Sequence, residues 1–182
     1  MPDPSCCRSV LFGVGAYAHL ESLPSVPAGL RDLAAALAYP SGAFAAEHSQ
    51  VLIDPPGATE VLDLVKEASD EAEDTLLLYF SGHGLIDSNS GELSLALPDS
   101  RTDAEYTSLQ YNWIRRAVLQ SRAQRKVVIL DCCFSGQAIG TMGGPEPLPL
   151  AGIEGTVLLT SAARDRMALA PAGEPYTAFT GN

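Results

Sequence analysis

The sequence predicts a three-layer α/β fold, a mainly parallel central sheet flanked by helices, and three observations carry that prediction. Apolar runs at Arg8–Val14, Gln50–Ile53, Thr75–Phe80, Lys126–Leu130 and Thr156–Thr160 are short and close on glycine, proline or polar residues. Several are apolar at consecutive rather than alternate positions, which suits strands covered on both faces. Between them lie segments whose apolar residues recur at helical spacing, and strands alternating with helices specify a parallel sheet with crossover connections.

The chain has 182 residues, of which 46% are hydrophobic and 18% charged. That length suits one domain with a sizeable core, and that composition a globular rather than a disordered chain. A formal net charge of -11, with 11 Lys plus Arg against 22 Asp plus Glu, argues against nucleic acid as a partner, because phosphate binding needs a basic face. No apolar run reaches the ~18 residues needed to span a bilayer, and the amino terminus lacks the pattern of a signal peptide, so no membrane association and a cytoplasmic location are expected.

The elements follow in order. Arg8–Val14 is the first strand, closed by Gly13 and Gly15. Residues 16–28, with Pro24 and Pro27 and no period, read as a connection, and a helix begins at Gly29 with Leu30, Leu33, Ala34 and Leu37 on one face. The Asp54-Pro-Pro-Gly57 turn ends the second strand, and Thr59 is the expected cap of a helix whose stripe is Val61, Leu62, Val65 and Ala68. The acidic run 70–74 reads as a solvated helix end. Glu92–Leu97 alternates as a half-exposed strand or hairpin does, and Ser108 is the expected cap of a helix carrying Trp113 as a core residue. Residues 137–152, rich in glycine and proline, read as a surface loop.

Two strand ends carry chemistry. Thr75–Phe80 runs into Ser81-Gly-His-Gly84, and Lys126–Leu130 runs into Asp131-Cys-Cys-Phe-Ser-Gly136. In a parallel sheet both carboxyl ends lie on one edge, where open α/β sheets build their sites, so each strand is expected to deliver a side chain to a glycine-rich turn there. A cysteine attacks carbonyls as the thiolate, which a neighbouring imidazole favours. His83 would supply that help and then protonate the leaving amine. The amides of Gly84 and Cys133 would form an oxyanion hole. The four cysteines come as adjacent pairs, Cys6-Cys7 and Cys132-Cys133, which is neither a zinc spacing nor a disulfide framework. Neighbours on an extended chain face opposite ways, so only one of Cys132 and Cys133 can face His83. The bland reading of Cys6 and Cys7 is small apolar residues at the start of a strand.

His83 precedes Cys133 by 50 positions, and with the two motifs around them the chain resembles the caspase and metacaspase superfamily of cysteine peptidases. The likeness extends to the first strand, the Arg31-Asp32 helix segment and the Thr160-Ser-Ala162 strand end, and is nearest to bacterial caspase-like domains. By that resemblance Cys133 is the nucleophile and His83 the general base and acid. It also implies a six-stranded, mostly parallel sheet in one peptidase domain over 1–182: a large-subunit-like part at 1–136, a flexible loop at 137–152, and the start of a small-subunit-like part at 153–182. The family's C-terminal strands are expected to be lacking, so that further domains or a second chain would complete the fold.

The positions that line the family's substrate pocket correspond here to Asp32, Ser81 and Asp131. Two carboxylates reject an acidic side chain and pair with a cation, so the expected substrate is a protein or peptide cut after Arg or Lys. No cofactor is implied by a clear motif. Metacaspases resemble one another in carrying calcium ligands after the histidine, where this chain has Asp87, Asp99 and Asp103, but their spacing reproduces no recognisable loop. Two other functions stay open: a catalytically weak or inactive caspase-like module used for binding or regulation, and a cysteine amidase acting on another substrate class. A phosphatase is disfavoured, since no arginine follows Cys133 within a short anion-binding loop.

Overall fold

A computed structural model of the chain describes residues 2–40, 42–87, 90–134 and 156–160, with the backbone alone at 133, 134, 156 and 158–160. One sheet of seven strands organises them. Its strands are β1 (Arg8–Gly13), β2 (Ser49–Ile53), β3 (Thr75–Ile86), β4 (Leu93–Leu95), β5 (Leu109–Gln110), β6 (Arg125–Phe134) and β7 (Thr156–Thr160). The helices are α1 (Val26–Leu37), α2 (Ala58–Glu71) and α3 (Tyr111–Gln120). β2, β1, β3, β6 and β7 run parallel in that spatial order, while β4 pairs antiparallel with the far end of β3 and then with β5. The mainly parallel, helix-flanked sheet is the architecture expected of the chain.

β1 and β3 are apolar on both faces because both faces are covered. Val10, Phe12, Leu76, Leu78, Phe80, Val128, Leu130 and Cys132 pack on one side with Val61 and Val65 of α2 and Ile114 and Val118 of α3. On the other side Leu11 and Tyr79 pack with Val26 and Leu30 of α1. Burying side chains of this size contributes roughly 1.5–3 kcal/mol each. Close strand packing also explains Gly13, where a Cβ atom would stand 2.5 Å from the Ser81 carbonyl oxygen.

Several local expectations are corrected. α1 begins three residues early, at Val26, with Pro27 in its first turn, where the missing proline N–H costs nothing. Gly57, not Thr59, precedes α2, and Ser108 closes a short 3₁₀ turn instead of capping α3, its hydroxyl donating to the Glu105 carbonyl at 2.6 Å. Trp113 is 45% exposed, because the buried stripe of α3 is Tyr111, Ile114 and Val118 and Trp113 lies off it. β4 is buried throughout instead of half-exposed, since it lies against β3. In β7, Val157 is 56% exposed where a buried residue is expected. The acidic run is partly fastened rather than simply solvated: Glu71 pairs with Arg8 at 2.9 Å and Asp74 with Arg125. The loop at 137–152 and, apart from β7, the small-subunit-like part at 153–182 lie outside the described residues.

Candidate active site

Ser81-Gly-His-Gly84 is strand, not turn: β3 runs on to Ile86, because β4 takes over its edge where β1 stops and β6 pairs with the opposite edge as far as Gly84. The parallel register sets Ser81 beside Asp131 and His83 beside Cys133. Register partners in a parallel pair share the phase of the pleat, so positions 79, 81 and 83 of β3 and 129, 131 and 133 of β6 belong to the α1 side. Tyr79 and Ile129 pack there. Cys132 has the opposite phase and is 1% exposed in the core beneath α2 and α3.

His83 is 8% exposed and held at several points. Its Nε2 lies 2.8 Å from the Glu21 carbonyl oxygen. A carbonyl only accepts, so in this arrangement Nε2 carries the proton and Nδ1 of the neutral ring carries the lone pair. That Nδ1 is buried with no hydrogen-bond partner among the described residues. The backbone N–H of His83 donates to the Tyr17 hydroxyl at 2.9 Å, and the two rings lie 4.9 Å apart, tilted at 47°. The His83 carbonyl accepts from the Ala96 amide at 2.9 Å. Across the trans peptide the Gly84 N–H points the other way, toward β6, the strand of Cys133.

One step back along β3, the Tyr79 hydroxyl donates to Asp131 Oδ2 at 2.9 Å. Both groups are buried, Asp131 to 3% exposure. Burial first, and then the adjacent Asp131 carboxylate, hold the Tyr79 hydroxyl well above its ordinary pKa. Ser81, also buried, completes this patch beside Asp131. Asp32 is placed differently: it is exposed on α1, while the residues of that helix that pack on the sheet are Val26, Leu30, Leu33, Ala34 and Leu37. Ser81 and Asp131 are thus brought together, and Asp32 stands on the far side of its helix from that packing stripe.

Two contributors are invisible to motif reading. Tyr17 and the Glu21 carbonyl come from the stretch 16–28, which has no periodicity and reads only as a connection. Nothing in its pattern marks a tyrosine that meets a histidine 66 positions away. A faint signal lies at Gly82, where a Cβ atom would stand 2.7 Å from the Tyr17 hydroxyl oxygen and 2.7 Å from Phe80. Asp87 is half-buried and accepts from the Ser90 amide, whereas Asp99 and Asp103 are exposed. Among the described residues no group of three or more His, Cys, Asp or Glu is disposed to hold a metal ion. Nor is any helix among them long and apolar enough to cross a membrane.

Comparison with known proteins bears on the same strands. The family model described as the caspase domain matches residues 7–180. The crystal structure of a protein from Geobacter sulfurreducens is similar, with a TM-score of 0.53 at 21% sequence identity over 72% of this chain, a likeness of fold. The chain spans about half of that protein, 52% of its length. Among curated proteins no sequence matches.

Proposed function

The chain belongs to the caspase-domain family of cysteine peptidases, and from that premise we propose that it is a cysteine endopeptidase in which Cys133 is the nucleophile and His83 the general base and acid. The observation that carries this reading is the pairing of His83 with Cys133 across β3 and β6, at one phase of the pleat, with the buried imidazole Nδ1 finding no hydrogen-bond partner among the described residues. In the first step Nδ1 takes the thiol proton and the sulfur bonds to the scissile carbonyl carbon, whose oxygen becomes an oxyanion. The amides of Gly84 and Cys133 are the proposed donors to it. As the C–N bond breaks, the imidazolium gives its proton to the leaving amine, and a thioester remains. Water then attacks the thioester carbonyl while Nδ1 accepts its proton. The proton returns to sulfur as the C–S bond breaks, which releases the acid and restores the thiol.

The proposed substrate is a protein or peptide with Arg or Lys before the cut bond. Asp131, with Ser81 beside it, supports this choice, since a buried carboxylate favours a cation and repels an acidic side chain. Asp32 belongs to the proposed pocket by the family likeness alone; its place on the exposed side of α1 makes it the weakest member. The chemistry needs no cofactor. A thiol nucleophile suits a reducing compartment such as the cytoplasm. Fluorogenic peptides differing only in the residue before the cut, assayed beside Cys133→Ala, test the reading. Loss of turnover in that variant supports it, and undiminished turnover contradicts it.

A further inference from the structure

We infer that Tyr17 is a positioning residue for His83, and that Asp54 is the anchor through which the segment carrying Tyr17 and Glu21 holds the imidazole in a single tautomer. The inference rests on the proposed role of His83 as base, but its geometry stands apart from Cys133. Tyr17 meets His83 twice, through its hydroxyl at the backbone N–H, 2.9 Å away, and through its ring, 4.9 Å from the imidazole. Gly82 leaves the space that the hydroxyl occupies. Four residues further on, the Glu21 carbonyl accepts from Nε2. One loop therefore grips the histidine at its backbone, its ring face and the nitrogen turned away from the lone pair.

A loop can hold a ring this way only if the loop is itself held. Asp54, which follows β2, accepts from the amides of Gly15 at 2.7 Å and Ala16 at 3.1 Å through the same carboxylate oxygen. Its own N–H donates to the Gly13 carbonyl at 2.9 Å. The residue adopts φ of 51°, a left-handed conformation that only glycine adopts without cost and that Asp and Asn tolerate better than other side chains. The carboxylate is thereby turned onto the start of the loop. Two further bonds close the loop on itself and on the sheet, Leu23 N–H to the Gly15 carbonyl at 2.7 Å and Ala18 N–H to the Pro98 carbonyl at 2.9 Å. Tyr17 sits in no recognisable motif, and the turn that Asp54 opens marks only the end of a strand. Both residues act on the direction in which Nδ1 points, and misdirection of a base costs turnover rather than substrate affinity.

The test compares Tyr17→Phe, Tyr17→Ala and Asp54→Gly with the unaltered chain. Glycine at 54 keeps the left-handed backbone and removes only the carboxylate. The first readout is the ¹⁵N spectrum of the His83 ring, assigned by loss of its signals in His83→Ala, which reports the tautomer whether or not the protein turns over a peptide. The second is the pH profile of kcat and KM. The expected result is a neutral ring protonated on Nε2 in the unaltered protein, and a mixed tautomer in Tyr17→Ala and Asp54→Gly. Their kcat should fall about 10- to 100-fold with KM within about threefold, and the imidazole limb of the pH profile should move. Tyr17→Phe, which keeps the ring, should fall between them and the unaltered protein. A tautomer and pH profile unchanged in folded Tyr17→Ala would overturn the inference, as would a loss confined to melting temperature. Altered tautomers in a protein that cleaves no peptide would sink the peptidase reading and leave the positioning role intact.

Discussion

Tyr79 donates its hydroxyl proton to Asp131 across β3 and β6, 2.9 Å from oxygen to oxygen, and both residues are buried. The bond fixes the direction of the one buried carboxylate among the described residues, two positions before the proposed nucleophile. Tyr79→Phe keeps the ring packed with Leu11, Val26 and Leu30 and removes this donor from Asp131. Loss of one partner from a buried acceptor costs about 1–3 kcal/mol. Urea unfolding should show that loss as a lower midpoint at unchanged slope. An unaltered midpoint would mean that Asp131 is satisfied without Tyr79.

The same tyrosine predicts the alkaline limit of the fold. Burial is the first cause of the raised hydroxyl pKa of Tyr79, and burial pushes that of Tyr111 up to about 12 from an ordinary 10.0. In the unfolded chain both ionise near pH 10. Their folded-state values are the higher ones, so the stability tied to the neutral hydroxyls is fully present below pH ~10. It is lost as pH rises through the folded-state values. Melting temperature followed from pH 8 to 12 should fall above pH ~10, and less steeply in Tyr111→Phe. A flat profile would contradict the burial of these hydroxyls.

Cys132 and Cys133 should differ sharply toward an alkylating reagent. Cys132 lies in the core with Leu130 and Phe80, where a reagent cannot reach it without local unfolding. Brief iodoacetamide treatment of the native protein, followed by peptide mapping, should label Cys133 first. Labelling of Cys132 first, with full activity retained in Cys133→Ala, would remove Cys133 from the mechanism.

Self-processing follows from the proposed preference for basic residues. Residues 137–152 contain no Arg or Lys, and the next cations along the chain are Arg164 and Arg166. Incubation of active enzyme and sequencing of new amino termini should therefore find cuts after those arginines and none within 137–152. A nick at Glu146 would oppose a carboxylate-lined pocket.

The central strands were legible in the sequence because a two-sided strand has to be apolar at consecutive positions, and β1, β3 and β6 are. Those strands, read as parallel, were enough to bring positions 83 and 133 to one edge. The extension of β3 through Gly82 and Gly84 was not legible, since glycine pairs argue for a turn until β4 and β6 are known to flank them. Trp113 was misplaced because size favours burial while the stripe of Tyr111, Ile114 and Val118 decides which face of α3 is buried. Tyr17 and Glu21 escaped altogether: contacts made by an aperiodic loop across 62 or more positions leave no local pattern. Asp32 was read from its motif position, which says nothing about the face of α1 on which it falls.

Cys133 and His83 are proposed to act as one nucleophilic pair on peptides with a basic residue before the cut. The most direct measurement is kcat/KM for three peptides that differ only in carrying Arg, Lys or Asp at that position, taken with the unaltered chain, Cys133→Ala and His83→Ala. The account predicts turnover of the Arg and Lys peptides over the Asp peptide, its abolition in Cys133→Ala, and a loss of at least about 100-fold in a folded His83→Ala. Preferred cutting after Asp, or turnover undiminished in either variant, would contradict it.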